Sequence, residues 1–190
     1  ELGFLFPAFD DRSSNIYNAL YYSRNISENH EKFIREIFNS EIPMPAAEQK
    51  ETFHAILENT LAEDCSYEVL QAVHGQLAEI IEEHKTNRDE LPLVISKSTV
   101  KNILTDCDVP ELRVAAFEEQ YDSEFGSDAN LNPRNIIDNR FEVCTPDVTI
   151  HVKPERSGLL KTQVINGTKY ILIRADEHVE VNGVAIHITE

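Results

Sequence analysis

Tryptophan is absent from this sequence of 190 residues, and glycine and cysteine are scarce, with six and three residues. Neither glycine-rich pattern that cradles phosphates, GxGxxG or GxxxxGK, occurs, which argues against a nucleotide-dependent enzyme. The cysteines, Cys65, Cys107 and Cys144, are odd in number and widely spaced, so they fit neither a disulfide framework nor a CxxC zinc knuckle. We therefore expect buried free thiols in a reducing cytoplasm.

Long apolar runs are absent too. No run approaches the roughly 20 residues that span a bilayer, and the first residues lack the basic and apolar regions of a secretory signal. The sequence therefore predicts a cytoplasmic protein without a membrane segment. The chain opens at Glu1 rather than methionine, and the apolar run Phe4-Leu5-Phe6 follows almost at once. This abrupt start favours a piece of a longer protein.

Acidic residues dominate one part of the chain. The net charge is −17; residues 1–130 hold 26 Asp or Glu against 10 Lys or Arg, whereas residues 131–190 hold 8 against 7. Such a negative field repels phosphate backbones and disfavours direct binding to nucleic acid. It favours a basic protein partner for the acidic helices. The alternative is that these charges only keep solvated helix faces in solution.

Apolar spacing predicts an α+β protein that begins with a strand over residues 3–9 and continues as helices to residue 126. A short helix is expected over residues 16–21. Two later segments have the most regular helical spacing, and Ser66 between them is a good N-cap. Because neither could bury its apolar stripe alone, they predict an antiparallel helical hairpin. The stripes are Phe53, Ile56, Leu57, Thr60 and Leu61, then Leu70, Val73, Leu77, Ile80, Ile81 and His84, and the last helix is expected to bury Leu112, Ala116, Phe117, Tyr121 and Phe125.

The apolar period changes from 3.6 to 2 in the last third of the chain. Gly126 ends the last helix, residues 127–139 have the composition of a linker, and residues 140–190 alternate apolar with polar side chains. The sequence therefore predicts three parts: an acidic, mainly helical region over 1–126, this linker, and an antiparallel β-meander subdomain. Within the meander, the apolar stretch Tyr170–Ile173 is the expected central strand.

Two Asn-Gly pairs lie inside the predicted meander. Asn166-Gly167 and Asn182-Gly183 each separate two apolar stretches. A type I′ turn needs positive φ at both central residues, which Asn and Gly tolerate at low steric cost. We therefore predict a tight hairpin at each pair.

The segment whose residue types most suggest a ligand site is Asp10-Asp11-Arg12, which directly follows the predicted first strand. Adjacent carboxylates can hold a divalent cation, and a neighbouring arginine can bind phosphate. The alternative is a turn and helix cap, for which Asp and Ser are also favoured. A second candidate is a recognition loop at Glu155 and Arg156, since loops on a sheet often carry function. Its alternative is a plain connection between strands.

Other constellations are incomplete, so the sequence assigns no catalytic residue, no metal ligand and no cofactor. Glu51 and His54 have the Glu-x-x-His spacing of half a di-iron site, with Glu58 one turn further, but a second Glu-x-x-His is missing. Three histidines of the β part could form a metal site only if they converged, and alternation places His151 toward solvent. The other two are His178 and His187.

Five spaced segments of the chain carry a family resemblance: 3–13, 49–53, 145–148, 154–156 and 179–183. Together they resemble a family of uncharacterised bacterial proteins known only as a domain of unknown function. The resemblance covers most of the chain and implies a bacterial cytoplasmic source and a further N-terminal portion. It implies no activity, so no functional residue is transferred.

The function predicted from these features is a non-enzymatic protein-binding or scaffold module, supported by the charge asymmetry and the incomplete catalytic sets. One alternative is part of an enzyme whose site lies mainly in a missing N-terminal portion, with Asp10, Asp11 and Arg12 contributing. A weaker alternative is a nucleoid-associated protein that contacts DNA through the near-neutral β part. The sequence assigns no oligomeric state.

Overall fold

The computed structural model describes residues 2–8, 19–24, 30–39, 44–87, 92–138, 140–175 and 179–188. Within these ranges the chain is α+β, as predicted. The helices are α1 (Glu31–Phe38), α2 (Ala46–Leu61), α3 (Tyr67–Asn87), α4 (Lys97–Asp106), α5 (Glu111–Phe125) and α6 (Pro133–Ile136). The strands are β1 (Leu2–Leu5), β2 (Leu20–Ser23), β3 (Ile95–Ser96), β4 (Asn130–Leu131), β5 (Phe141–Cys144), β6 (Thr149–Val152), β7 (Leu160–Ile165), β8 (Thr168–Ile173), β9 (Val179–Val181) and β10 (Val184–Ile186).

The apolar core joins the five helices α2 to α6 and the short strands β3 and β4. All five predicted stripe residues of α2 are buried, including Thr60, whose hydroxyl donates to the Ile56 carbonyl at 2.7 Å. Helix α2 packs mainly along α5 and α6, and α3 packs against α4. Among the described residues, no helix is long and apolar enough to cross a membrane.

Helix α3 begins as predicted, because Ser66 caps it by accepting from the Val69 N–H at 3.2 Å. Its buried face differs by one position from the predicted stripe. Val69 is buried together with Val73 and Leu77, whereas Leu70 is 38% exposed. Adjacent residues of a helix point about 100° apart, and at this position Val69 is on the buried side while Leu70 is on the cleft side.

The predicted end of α5 is confirmed, because Gly126, with φ of 96°, ends the helix. Leu112 was predicted to face inward, and this is wrong: it is 79% exposed, and Val114 takes the buried place with Phe117 and Tyr121. The 3.6-residue period fits both sets of residues near a helix end. Only the position of α2 against α5 decides between them.

The polar segment after α5 is packed in the structure. Strand β4 pairs with β3, with Leu131 opposite Ile95. Leu131, Pro133 and Ile136 are buried, and α6 packs on α2. The side chain of Asn132 caps α6 by accepting from the Arg134 N–H at 3.0 Å. The division of the chain into domains itself stays a prediction.

The C-terminal β-meander has six strands in the described ranges, arranged as the hairpins β5–β6, β7–β8 and β9–β10. Both Asn-Gly turns are confirmed, with φ of 50° and 79° at Asn166-Gly167 and 53° and 80° at Asn182-Gly183. The predicted central strand is wrong for the described part of the chain. Strand β8, which contains Tyr170–Ile173, pairs there with β7 alone.

The first hairpin, β1–β2, packs on α1. The ring of Phe4 lies 6.3 Å from the ring of Phe33 and 5.5 Å from that of Phe38. The predicted helix over residues 16–21 is wrong where it can be compared, because Leu20 and Tyr21 belong to β2. Its remaining positions through residue 18 lie outside the described residues. Pairing with β1 makes Leu20 and Tyr21 part of a strand. The spacing of apolar residues in the sequence gives no sign of this long-range pairing.

Candidate functional site

The two predicted sites remain predictions. Asp10, Asp11 and Arg12 lie outside the described residues. Residues 154–159 form a 3₁₀ turn, in which Arg156 is exposed and the side chain of Glu155 is outside the described part.

That turn is fixed to α3 by the residue after Arg156. Ser157 is buried; its carbonyl accepts from the Tyr67 hydroxyl at 2.9 Å, and its Oγ accepts from Gln71 Nε2 at 3.2 Å. A recognition loop at Arg156 would therefore stand on an anchored base.

A cleft of about 540 Å³ lies beside α2 and α3 and is bordered by residues 136–138 and 140–142. This volume falls within the range of about 300–1,000 Å³ typical of ligand sites. Half of its lining is apolar: Phe53, Leu57, Leu70, Val73, Ile136, Ile137 and Phe141. The other half is polar or ionisable: His54, Glu58, Cys65, His74, Asp138, Arg140 and Glu142.

His74 is the most constrained polar group of the cleft. Its Nε2 lies 2.9 Å from the Asp138 carbonyl, and its ring meets the Phe141 ring edge-to-face at 5.3 Å. Because a carbonyl only accepts, Nε2 carries the proton in the neutral ring. Nδ1 is then an acceptor, and it is buried without a hydrogen-bond partner among the described residues. Burial lowers the pKa of His74, and the Asp138 contact opposes this effect only in part.

His54 lines the cleft from α2. Burial is the main cause that lowers the pKa of His54; the positive charge of Lys50 adds to it, and Asp138 acts in the opposite direction. Lys50 and Asp138 form an ion pair, which ties α2 to the end of the α6 segment. The two histidines therefore contribute neutral rings to the cleft at neutral pH.

The charged groups of the cleft differ in how they are paired. Glu142 lies 2.9 Å from Nδ1 of His151 and accepts from the Cys144 thiol at 3.0 Å. Asp138 is paired with Lys50. Glu58 and Arg140 form no ion pair with any residue that the structure describes. One unpaired anion and one unpaired cation thus remain available to a bound molecule.

The incomplete metal patterns do not come together. In the described ranges, no three His, Cys, Asp or Glu side chains are placed to hold a metal ion. Glu51 is exposed, while His54 and Glu58 both line the cleft. His151 is exposed as predicted and bonds Glu142; His187 is exposed, and His178 lies outside the described residues.

The cysteine prediction is confirmed in part. The three cysteines are free, but Cys65 and Cys107 are only half-buried. This partial burial is the first cause that raises the pKa of each of these two thiols. Cys144 was expected to be buried, and this is wrong: it is exposed on β5. Strand β5 lies in a two-stranded hairpin in which only Phe141 is fully buried, so its other end meets solvent.

Sequence reasoning missed the cleft as a unit. His54 follows the buried Phe53, and His74 follows the buried Val73, so each histidine stands at the edge of an apolar stripe. That position is the one signal the sequence holds for them. Asp138 comes from the segment predicted as a linker, and Arg140 is the first residue of the predicted meander. No local pattern indicates that either residue lies beside α2.

The chain belongs to the family described as Domain of unknown function (DUF4317), which matches residues 1–184. This confirms the resemblance to a family of unknown function. No curated protein and no solved structure matches the chain. The family description assigns no activity, so the function is argued from the geometry alone.

Proposed function

We propose that this chain is a non-enzymatic protein-binding or scaffold module that acts in a bacterial cytoplasm. The observation that carries the proposal is the apolar surface of its β-hairpins. The family resemblance supports the bacterial setting, and the three free cysteines are in keeping with a reducing compartment.

The hairpin β9–β10 carries its large apolar side chains on one face. Val181 pairs with Val184, and Val179 pairs with Ile186, so these four side chains share one face. The other face carries Glu180 and Ala185. Val181 is 52% exposed and Val184 is 66% exposed, so the apolar face meets solvent.

The hairpin β1–β2 has the same two-sided character. Phe4 faces α1, whereas Leu5 and Leu20, which pair with each other, lie on the opposite face with Tyr22. These three side chains are each more than half exposed. The hairpin therefore holds α1 with one face and presents an apolar surface with the other.

Physical chemistry favours a partner for such faces. Burying apolar surface contributes roughly 25 cal/mol per Å², and isolated two-stranded hairpins are marginally stable in water. Extended apolar patches on a folded surface typically mark sites of protein interaction. A second protein that covers these faces would bury the valines and stabilise the hairpin.

The test compares two double variants of the tagged full-length protein after crosslinking in its own cells. Val181→Ser with Val184→Ser removes the apolar face of β9–β10. Val94→Ser with Leu112→Ser is the matched control, because these residues are 50% and 79% exposed outside the hairpins. We expect a co-isolated protein to be lost with the first variant and kept with the second. Equal recovery with both variants would contradict the proposal.

A further inference from the structure

We infer that the cleft beside α2 and α3 binds a basic peptide segment of a partner protein, which inserts a bulky apolar side chain. The inference rests on the proposed protein-binding function and names the chemistry of its partner. It concerns a surface separate from the hairpin faces, so the two can be tested independently.

The cleft has the size and floor that an apolar anchor requires. Its volume of about 540 Å³ exceeds that of one aromatic side chain, so one or two anchors fit. Phe53 and Val73 form part of the buried core, while Leu70 is 38% exposed at the cleft. A leucine held in this half-exposed position is a contact that a bound side chain would complete.

The unpaired charges at the cleft match a peptide better than a simple cation. Glu58 can receive an ammonium or guanidinium group, and Arg140 can donate to a carbonyl oxygen. A basic peptide offers both groups at once, because every residue carries a backbone carbonyl. A small organic cation would satisfy Glu58 and leave Arg140 unpaired.

The surrounding charge selects a basic partner. Residues 44–87, which contain α2 and α3, hold nine Asp or Glu and two Lys or Arg. Oppositely charged segments associate faster in such a field, whereas like-charged ones are repelled. A second copy of this chain, with a net charge of −17, is therefore a poor occupant.

The histidines do not oppose this charge selection. Their pKa values are lowered by burial, so His54 and His74 are neutral at neutral pH and add no positive charge to the cleft. The acidic field of α2 and α3 is therefore not offset inside the cleft by a protonated histidine.

The experiment selects from a bead-displayed library of short random peptides with the full-length chain, at physiological salt. We expect selected peptides to be rich in Lys or Arg around Phe, Leu or Trp. Replacing the apolar anchor by Ala should weaken binding about tenfold or more, as measured by fluorescence anisotropy. Recovery of no peptide, or of peptides without basic residues, would overturn the inference.

Matched protein variants locate the binding. Leu70→Lys places a cation in the cleft and should weaken binding about tenfold. Leu112→Lys makes the same change at an exposed position of α5 and should leave the affinity unchanged. Glu58→Gln in the cleft is compared with Glu79→Gln at an exposed position of α3. This pair repeats the test with substitutions that keep the size of the side chain. Equal effects within the Leu70 and Leu112 pair and within the Glu58 and Glu79 pair would overturn the inference. Equal recovery of a co-isolated protein with the hairpin variant and its control, together with intact peptide binding, would instead overturn only the proposed function.

Discussion

At the scale of single residues, His74 illustrates how surroundings decide chemistry. The same side chain on an exposed helix face would titrate near its ordinary pKa of 6.5, but here it meets a carbonyl, an aromatic ring and apolar residues. Desolvation penalises the charged ring, which keeps His74 neutral. His54 behaves in the same way for the same principal reason.

These lowered pKa values predict a pH-dependent stability. The unfolded chain binds protons near pH 6.5, whereas folded His54 and His74 resist protonation. The free energy of unfolding should therefore fall as the pH drops through about 6.5, and continue to fall until the folded histidines protonate. Above that window the histidines contribute no pH dependence.

Urea unfolding at several pH values measures the effect. We expect the double variant His54→Gln with His74→Gln to lose part of this slope between neutral and mildly acidic pH. Asp138 and Lys50, which lie beside these histidines, are unchanged in the variant and serve as the internal background. An identical slope in the variant and the natural chain would show that these histidines are not its source.

Individual buried residues of α2 could be predicted because one period governs them. Phe53, Ile56, Leu57, Thr60 and Leu61 repeat at the spacing of one helix face, and the structure buries all five. The place of His54 in a cleft could not be predicted. It depends on residues 136–138 and 140–142, which are more than 70 positions away in the sequence and carry no matching local signal.

At the scale of elements, α2 is the helix on which the core depends. Phe53 is 1% exposed and belongs to the main apolar cluster, so Phe53→Ala would leave a cavity. We predict a loss of about 3–5 kcal/mol in the free energy of unfolding. Leu112→Ala, at an exposed position of α5, should change the free energy of unfolding by less than about 0.5 kcal/mol. Urea titrations of the two variants check the contrast, and similar losses would contradict this account of the core.

Two glycines of different elements give opposite predictions. Gly75 lies inside α3 with no atom within 4 Å of an added Cβ, so Gly75→Ala should stabilise the protein by about 0.5–1 kcal/mol. Gly167 has φ of 79° in the β7–β8 turn, where Ala should destabilise the hairpin by about 1–2 kcal/mol. Amide hydrogen exchange of the hairpin and thermal unfolding measure both effects. Two changes of the same sign would contradict the backbone argument.

Elements that depend on the residue types of a short segment could be predicted from the sequence. Elements that depend on contacts between distant segments could not. The Asn-Gly turns follow from the positive φ that both residues tolerate, and both are present. Strands β3 and β4 have two residues each and exist because Ile95 meets Leu131 across the core. Such short pairings leave no period in the sequence. For residues 127–139 the polar composition was therefore the only signal, and it predicted a linker.

At the scale of the whole molecule, two surfaces of different chemistry stand out. The acidic field lies on the helical part, where residues 1–130 hold 26 acidic and 10 basic residues. The exposed apolar faces lie on the hairpins β1–β2 and β9–β10. An acidic cleft and apolar sheet faces together suit a module that contacts a partner at two places. The charge difference was evident from the sequence, but the exposure of the valines required the structure.

The central claim is that another protein covers the apolar face of β9–β10. The most direct measurement places a photo-crosslinking phenylalanine analogue at Val184 in the full-length protein and irradiates living cells of its source. The same substitution at Leu112 is the control, since that residue is exposed on α5. The account predicts a discrete crosslink to a second protein from position 184 and none from position 112. A position 184 that reacts only with solvent, or only within its own chain, would contradict it.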